Sequence, residues 1–291
     1  MKNIKSQKTL ILLTSLLIFI VNISFAQPGT LDLSFGTNGV VLTDIGTSND
    51  LGRASALQSD GKIIIVGSSK NNNAPNDFIL IRYDTNGSVD SSFGQNGIVT
   101  TSFGLYDDTA NAIGIQTDGK IIVAGHSYNG ANNDIAIARY NADGTLDVTF
   151  DNDGKATTSI GIGPESAQAL LIQHDLKIVV TGYAYNGFSY DFALVRYNTD
   201  GSLDTTFDTD GKVVAHLGVG NDRSLAIAQQ SDNKIVIGGY SFGANFTDFA
   251  LLRFNANGSL DTTFETDGKV LTPIGFFNDI VSELPYKVMV K

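Results

Sequence analysis

Four times in this sequence an arginine is followed eight residues later by an aspartate: Arg82 and Asp90, Arg139 and Asp147, Arg196 and Asp204, Arg253 and Asp261. A guanidinium is a planar fork of donors suited to a carboxylate or to another oxyanion. The set therefore reads either as a row of anion-binding arginines or as one internal ion pair used repeatedly. Repetition favours the ion pair, because a single active site should occupy positions that break a repeat. A charge inside a mainly apolar strand also needs a partner.

A second acidic series, Asp50, Asp108, Glu165, Asp222 and Asp279, stands just ahead of an apolar run in each repeat. Such carboxylates could rim the mouth of a central channel and hold a cation there. The plainer reading is turn formation, for which Asp and Asn side chains are suited. Turns such as NTDGSLDTTFDTDG from Asn198 are also rich in oxygen ligands, which makes calcium the one ion to weigh. The EF-hand pattern fails, since it needs glycine at position 6 and glutamate at 12. Counting from Asp84 puts Gly87 at position 4 and Gln95 at 12. No cofactor is otherwise expected.

Positions that differ between repeats are better placed for a specific function. Tyr128, Tyr183, Tyr185, Phe188, Tyr190, Phe242 and Phe246 fall in variable segments beside several asparagines. Aromatic rings with adaptable amides suit sugars or extended peptides, unless the rings fold back over their neighbours. His126, His174 and His216 occupy three different repeat positions, and nothing in the sequence gathers them with a carboxylate as a zinc site requires. There is no HExxH or phosphate-loop motif, and no catalytic residue is singled out.

The elements that must carry these residues follow from an internal period. GTLDLSFGTNGVV at Gly29 returns as GSVDSSFGQNGIV at Gly87, GTLDVTFDNDGKA at Gly144, GSLDTTFDTDGKV at Gly201 and GSLDTTFETDGKV at Gly258, in steps of 58, 57, 57 and 57 residues. DGKIIIVG from Asp60 and DFILIRY from Asp77 recur with the same period. Each period reads as four short strands, A to D, rich in Val, Ile, Thr and aromatics and punctuated by Gly, Asn and Asp. No segment beyond residue 26 has helical periodicity of credible length. The expected fold is all-β: a β-propeller of four-stranded antiparallel blades, about 57 residues per repeat, with four full blades and partial strands at both ends. A β-solenoid is the alternative, but its coils usually need only about 20 to 30 residues. Repeat units are placed at 29–86, 87–143, 144–200 and 201–257, with a partial unit at 258–291, in one domain from 27 to 291. A leading strand D at Gly39 to Thr43 could close a ring with the last blade; otherwise the propeller stays open.

Ahead of this domain, Lys2, Lys5 and Lys8 precede an apolar run from Leu10 to Val21, and Ser24-Phe25-Ala26 supplies small residues at a signal-peptidase site. Residues 1–26 are therefore expected to be a cleaved signal peptide. No cysteine follows to carry a lipid, so the expected location is secreted, periplasmic or cell-surface, with no membrane contact after cleavage. The 291-residue chain has 19 basic and 30 acidic side chains, a formal charge of −11, and the signal segment removes three of the lysines. An acidic surface argues against nucleic acid as a partner. With 42% hydrophobic and 17% charged residues the chain can build a core, and without cysteine it has no disulfide frame or thiolate chemistry.

The composite run DFALVRYNTDGSLDTTFDTDGK from Asp191, with its ALQ-x-DGKIIVxG partner, resembles the delta-60 repeat of secreted and surface-exposed bacterial proteins. The resemblance spans about residues 29 to 275. It implies a propeller-like fold in an exported protein and brings no catalytic residues with it. The expected function is an exported binding or scaffold module that recognises a glycan or a protein ligand through a loop-rich face. The alternative class is a propeller hydrolase or lyase acting on extracellular polysaccharide, with its groups among the repeat-breaking acids and tyrosines.

Overall fold

The computed structural model describes residues 29–47, 49–70, 74–218, 220–243, 246–273, 278–280 and 282. The expected signal peptide and most of the chain after residue 273 lie outside the described residues. Within them the chain is all-β, with no helix and sixteen strands in four antiparallel sheets, each ordered as the chain runs. Blade 1 comprises β1 (Leu51–Leu57), β2 (Ile63–Lys70), β3 (Asn76–Tyr83) and β4 (Ile98–Thr101). Blade 2 comprises β5 (Asp108–Ile115), β6 (Ile121–Tyr128), β7 (Asn133–Tyr140) and β8 (Lys155–Thr158). Blade 3 comprises β9 (Glu165–Ile172), β10 (Ile178–Tyr185), β11 (Tyr190–Tyr197) and β12 (Lys212–Ala215). Blade 4 comprises β13 (Asp222–Gln229), β14 (Ile235–Phe242), β15 (Thr247–Phe254) and β16 (Lys269–Thr272).

The middle strands are apolar on both faces because each blade is covered on both sides. Phe78 and Leu80 of blade 1 meet Ala136, Ala138 and Tyr140 of blade 2 in one core. Ile135 and Ile137 meet Val195 and Tyr197 in the next, and Phe192 and Leu194 meet Ala250, Leu252 and Phe254 in the third. The first strands pack in series, β1 on β5, β5 on β9 and β9 on β13, with no comparable packing from β13 back to β1. Among the described residues the four blades therefore form an open series rather than a closed ring.

Every first strand carries a bulge at the same place, where the pairing skips Arg53, Asn111, Gln168 and Leu225. Beside it in the second strand lies the glycine that ends each KIIIVG-like motif, at Gly67, Gly125, Gly182 and Gly239. A bulge bends the strand and brings its backbone inward. A Cβ on these glycines would meet a neighbouring carbonyl oxygen at 1.7 to 1.9 Å. The recurring glycine is thus a close-approach requirement and not a turn signal.

Buried tyrosine hydroxyls reach back to the preceding fourth strand: Tyr140 Oη donates to Thr101 Oγ1 at 2.8 Å and Tyr197 Oη to Thr158 Oγ1 at 2.7 Å. At the third junction both groups are lost together, with Phe254 facing the position of Ala215, because a buried hydroxyl without an acceptor is costly. The leading segment supplies the same contact to blade 1. Tyr83 Oη donates to Thr43 Oγ1 at 2.7 Å, and Val41 and Ile45 cover Ile79, Ile81 and Tyr83. Residues 39–43 therefore stand in the place of a preceding blade's edge against blade 1. They do not pair with the last blade, where β15 takes β16 as its outer partner.

Candidate functional site

The arginine and aspartate pairs lie inside the junctions. Arg82, Arg139, Arg196 and Arg253 donate through Nε to Asp90, Asp147, Asp204 and Asp261 at 2.6 to 2.7 Å. Lys62, Lys120, Lys177 and Lys234 share the same carboxylate oxygen at 2.6 to 2.8 Å. The other oxygen accepts both the hydroxyl and the amide of Ser92, Thr149, Thr206 or Thr263. Each guanidinium also lies over a phenylalanine ring, at 4.5 Å for Phe93 and 4.3 Å for Phe207. Nη1 of the first three arginines donates to a carbonyl of the next blade, from Ala142, Thr199 and Ala256. These arginines have every guanidinium nitrogen engaged and act as staples between blades, not as an anion-binding row. Among the described residues Arg253 has no such acceptor, and its side chain is 18% exposed.

Burial alone would raise the Asp147 carboxyl, but Lys120, the Thr149 hydroxyl and amide, and Arg139 outweigh it and hold it well below the usual carboxylate range. Asp90 and Asp204 behave alike for the same reasons.

The second acidic series folds into the turns between blades. Asp50 Oδ2, Asp108 Oδ2 and Asp222 Oδ2 accept the amides of Ile45, Phe103 and Leu217 at 2.7 to 2.9 Å, and Glu165 Oε1 accepts that of Gly161 at 2.8 Å. The Asp279 amide donates to Thr247 O at 2.7 Å. Asp108, Glu165 and Asp222 are 0% exposed, so they line no open channel mouth. Each meets instead the aspartate that opens the third strand of the preceding blade: Asp77, Asp134 or Asp191. Among the described residues, one oxygen of each of Asp108, Asp134, Glu165 and Asp222 is buried without a hydrogen-bond partner.

Burial, aided by the facing Asp134, pushes Glu165 up to about 7 from its ordinary 4.5, against the pull of the Gly161 amide. Because the folded-state value lies above the unfolded one, the native chain holds the extra proton between about pH 4.5 and 7 and loses stability as pH rises through that window. Glu165→Gln keeps the acceptor for Gly161 and removes the titration. Its melting temperature should rise relative to wild type between pH 4.5 and 7.5 and then level off. A difference that stays constant with pH would contradict this.

The aromatic set is only partly gathered. Tyr183 and Tyr185 of β10 meet Tyr190 of β11 with ring centroids 5.0 and 5.4 Å apart. Arg223 of blade 4 lies over Tyr183 and Tyr190 at 4.2 and 4.7 Å. Phe188, in the loop between β10 and β11, is 96% exposed. Asn186 shapes that loop, its Oδ1 accepting the Phe188 and Ser189 amides. Tyr128 pairs instead with Tyr106, edge to face at 5.4 Å, while in blade 4 Phe242, at the end of β14, and Phe246, in the loop after it, are exposed. On the opposite face a cleft of about 360 Å³ between blades 3 and 4 is lined by His174, Asp175, Arg196 and Asn233, among others.

Among the described residues one group of three candidate metal ligands comes together: Asp191, His216 and Asp222, with ligand atoms all within 4.8 Å of one another. In the sequence His216 stands 25 residues from Asp191, which opens the DFALVRY motif, and no spacing rule links the two. The available signal was that His216 takes the place of Ser102 and Ser159 in the other repeats.

Four bladed sheets in series, joined by buried ion pairs and carrying a face of variable loops, define a β-propeller repeat protein. Residues 58–93, 116–150, 173–207 and 230–264 match the family model described as "Domain of unknown function (DUF5122) beta-propeller", one match per blade. No curated protein matches the chain. Among solved structures it is similar to the extracellular domains 1-2 of Drosophila Semaphorin 1b, with 14% identity over 70% of this chain and 40% of that one at a TM-score of 0.38. It is also similar to a GH43_12 retrieved from capybara gut metagenome, with 8% identity over 76% and 41% of the two chains at 0.38. A third is MPT-4, a mannose phosphorylase from Leishmania mexicana, with 11% identity over 70% and 63% at 0.35. The chain spans between 40% and 63% of the length of these structures, and likenesses this remote carry no argument about its activity.

Proposed function

We propose that this chain is an exported β-propeller module that binds a glycan or an extended peptide through the loops at the ends of β10 and β11 and their neighbours. The observation that carries the reading is Phe188, 96% exposed beside the clustered rings of Tyr183, Tyr185 and Tyr190, over which Arg223 lies. An isolated exposed ring has little stabilising value for the fold, whereas rings held by a rigid scaffold stack on sugar faces or peptide side chains at low entropic cost. Export through residues 1–26, and the delta-60 character of the repeat, belong to the same reading. Calcium at the acidic turns is not required by it, and the acidic surface suits neither nucleic acid nor an anionic membrane.

The enzymatic alternative needs a carboxyl of raised affinity for protons that can touch substrate. Glu165 has the first property but is 0% exposed, so it is not itself such a group. The test is a screen of the mature protein on glycan and peptide arrays, paired with chromogenic glycosides. Saturable binding is expected, and Phe188→Ala combined with Tyr185→Ala should weaken it at least about tenfold with little change in melting temperature. Turnover of a glycoside, or binding indifferent to the double substitution, would overturn the proposal.

A further inference from the structure

The junction between blades 3 and 4 differs from the other two in one residue that can bind metal. Ser102 and Ser159 directly follow the fourth strands of blades 1 and 2, and His216 stands in their place after that of blade 3. His216 Nδ1 lies 2.9 Å from Asp191 Oδ1 and 3.9 Å from Asp222 Oδ2. Asp191 and Asp222 are 3% and 0% exposed, while the His216 side chain is 55% exposed. Asp222 Oδ1 is buried with no hydrogen-bond partner; the Ser241 hydroxyl approaches without reaching hydrogen-bonding geometry.

We propose that Asp191, His216 and Asp222 form a binding site for one first-row divalent metal ion of the zinc class, joining blade 3 to blade 4. Charge is the first argument. Two buried carboxylates beside one another are disfavoured unless compensated, and a protonated imidazole would neutralise only one of them. A divalent ion bound by two carboxylates and a neutral imidazole leaves the group uncharged. Asp222 Oδ2, the oxygen on the imidazole side, keeps a lone pair for the ion besides the one that accepts the Leu217 amide.

Donor type is the second argument. Imidazole selects zinc and its neighbours over calcium, which takes six to eight oxygen ligands that this site does not supply. Three protein ligands with one exposed side match the arrangement in which zinc keeps a position open for water or a ligand group. The ligands are also held from behind, as metal ligands usually are. Asn186 Nδ2 donates to Asp191 Oδ2 at 2.7 Å, the Leu217 amide to Asp222 Oδ2 at 2.8 Å, and Lys269 Nζ to the His216 carbonyl at 2.6 Å.

The other junctions provide the control. His216→Ser restores the residue that blades 1 and 2 carry, so the variant should fold. The mature protein is stripped with EDTA, then titrated calorimetrically with zinc chloride and, separately, with calcium chloride. Cobalt chloride serves as a spectroscopic probe. Wild type should bind one equivalent of zinc, show a cobalt absorption band of low-coordinate type and melt at a higher temperature when loaded. His216→Ser should bind zinc at least about tenfold more weakly and lose the band, with the melting temperature of the metal-free protein unchanged. Asp222→Asn should also lose zinc, and if it fails to fold the serine variant decides alone. No saturable zinc uptake, uptake unchanged in His216→Ser, or calcium bound as tightly as zinc would each overturn the assignment.

Discussion

Gly182→Ala is expected to destabilise the chain by about 3 kcal/mol, lowering its melting temperature by roughly 6–12 °C. The added methyl would sit 1.9 Å from Ser166 O and 2.9 Å from the Ser166 carbonyl carbon, both backbone atoms of the neighbouring strand. Relief would require straightening the bulge that the register skip at Gln168 creates, and with it the seat of β9 against β5 and β13. Thr181 and Ala167, either side of the contact, are already 0% exposed, so there is no slack to absorb a shift. Gly104→Ala is the matched control. Nothing lies within 4 Å of its added Cβ, and its effect should stay within about 0.5 kcal/mol. The check is calorimetry on both variants; equal melting temperatures would remove the close-approach account of these glycines.

Arg139→Ala should cost about 3–5 kcal/mol, because it leaves a buried carboxylate short of its main partner and breaks a bond to the next blade at once. Asp147 is 4% exposed and would keep only Lys120 and Thr149, while the Thr199 carbonyl would lose its donor. Arg253→Ala removes the same side chain where it is 18% exposed against 6% for Arg139, and bonded only to Asp261 among the described residues. Its loss should be less than half that of Arg139→Ala. Urea midpoints of the two variants separate these outcomes, and equal losses would mean that the bond to the following blade contributes nothing.

The same aspartates set the response to acid. Asp90, Asp147 and Asp204 have folded-state values below their unfolded ones. Their stabilisation is therefore complete above the unfolded carboxylate range near pH 4 and is lost as pH falls toward the lower folded values. Glu165 acts in the opposite direction in a separate window, about pH 4.5 to 7, so the two contributions can be resolved along one pH series.

Much of this was legible in residue order. The period, the four strands in each repeat and the pairing of each arginine with the aspartate eight positions on follow from local pattern, because strand alternation and tight turns act over a few residues. The recurring glycine of the KIIIVG motif was visible too, but not its reason, since the bulge it faces lies in the adjacent strand. The lysine of the DGK turn joins the ion pair from 27 residues away, as Lys120 does with Asp147. Tyr183, Tyr185 and Tyr190 come together as adjacent strands require, whereas Tyr128 finds Tyr106, a loop residue that no aromatic spacing flagged.

By itself, then, the sequence determined that the protein is a tandem of short antiparallel sheets with buried, paired charges, because every one of those features is written in side-chain type at short range. Only the tertiary structure decided which blade faces meet and what lies between them. Asp191, His216 and Asp222 are separated by 25 and 6 residues and belong to two blades; the packing of one sheet on the next brings them within reach of a single ion. The seat of the leading segment on blade 1 was settled in the same way, by which apolar faces found a partner.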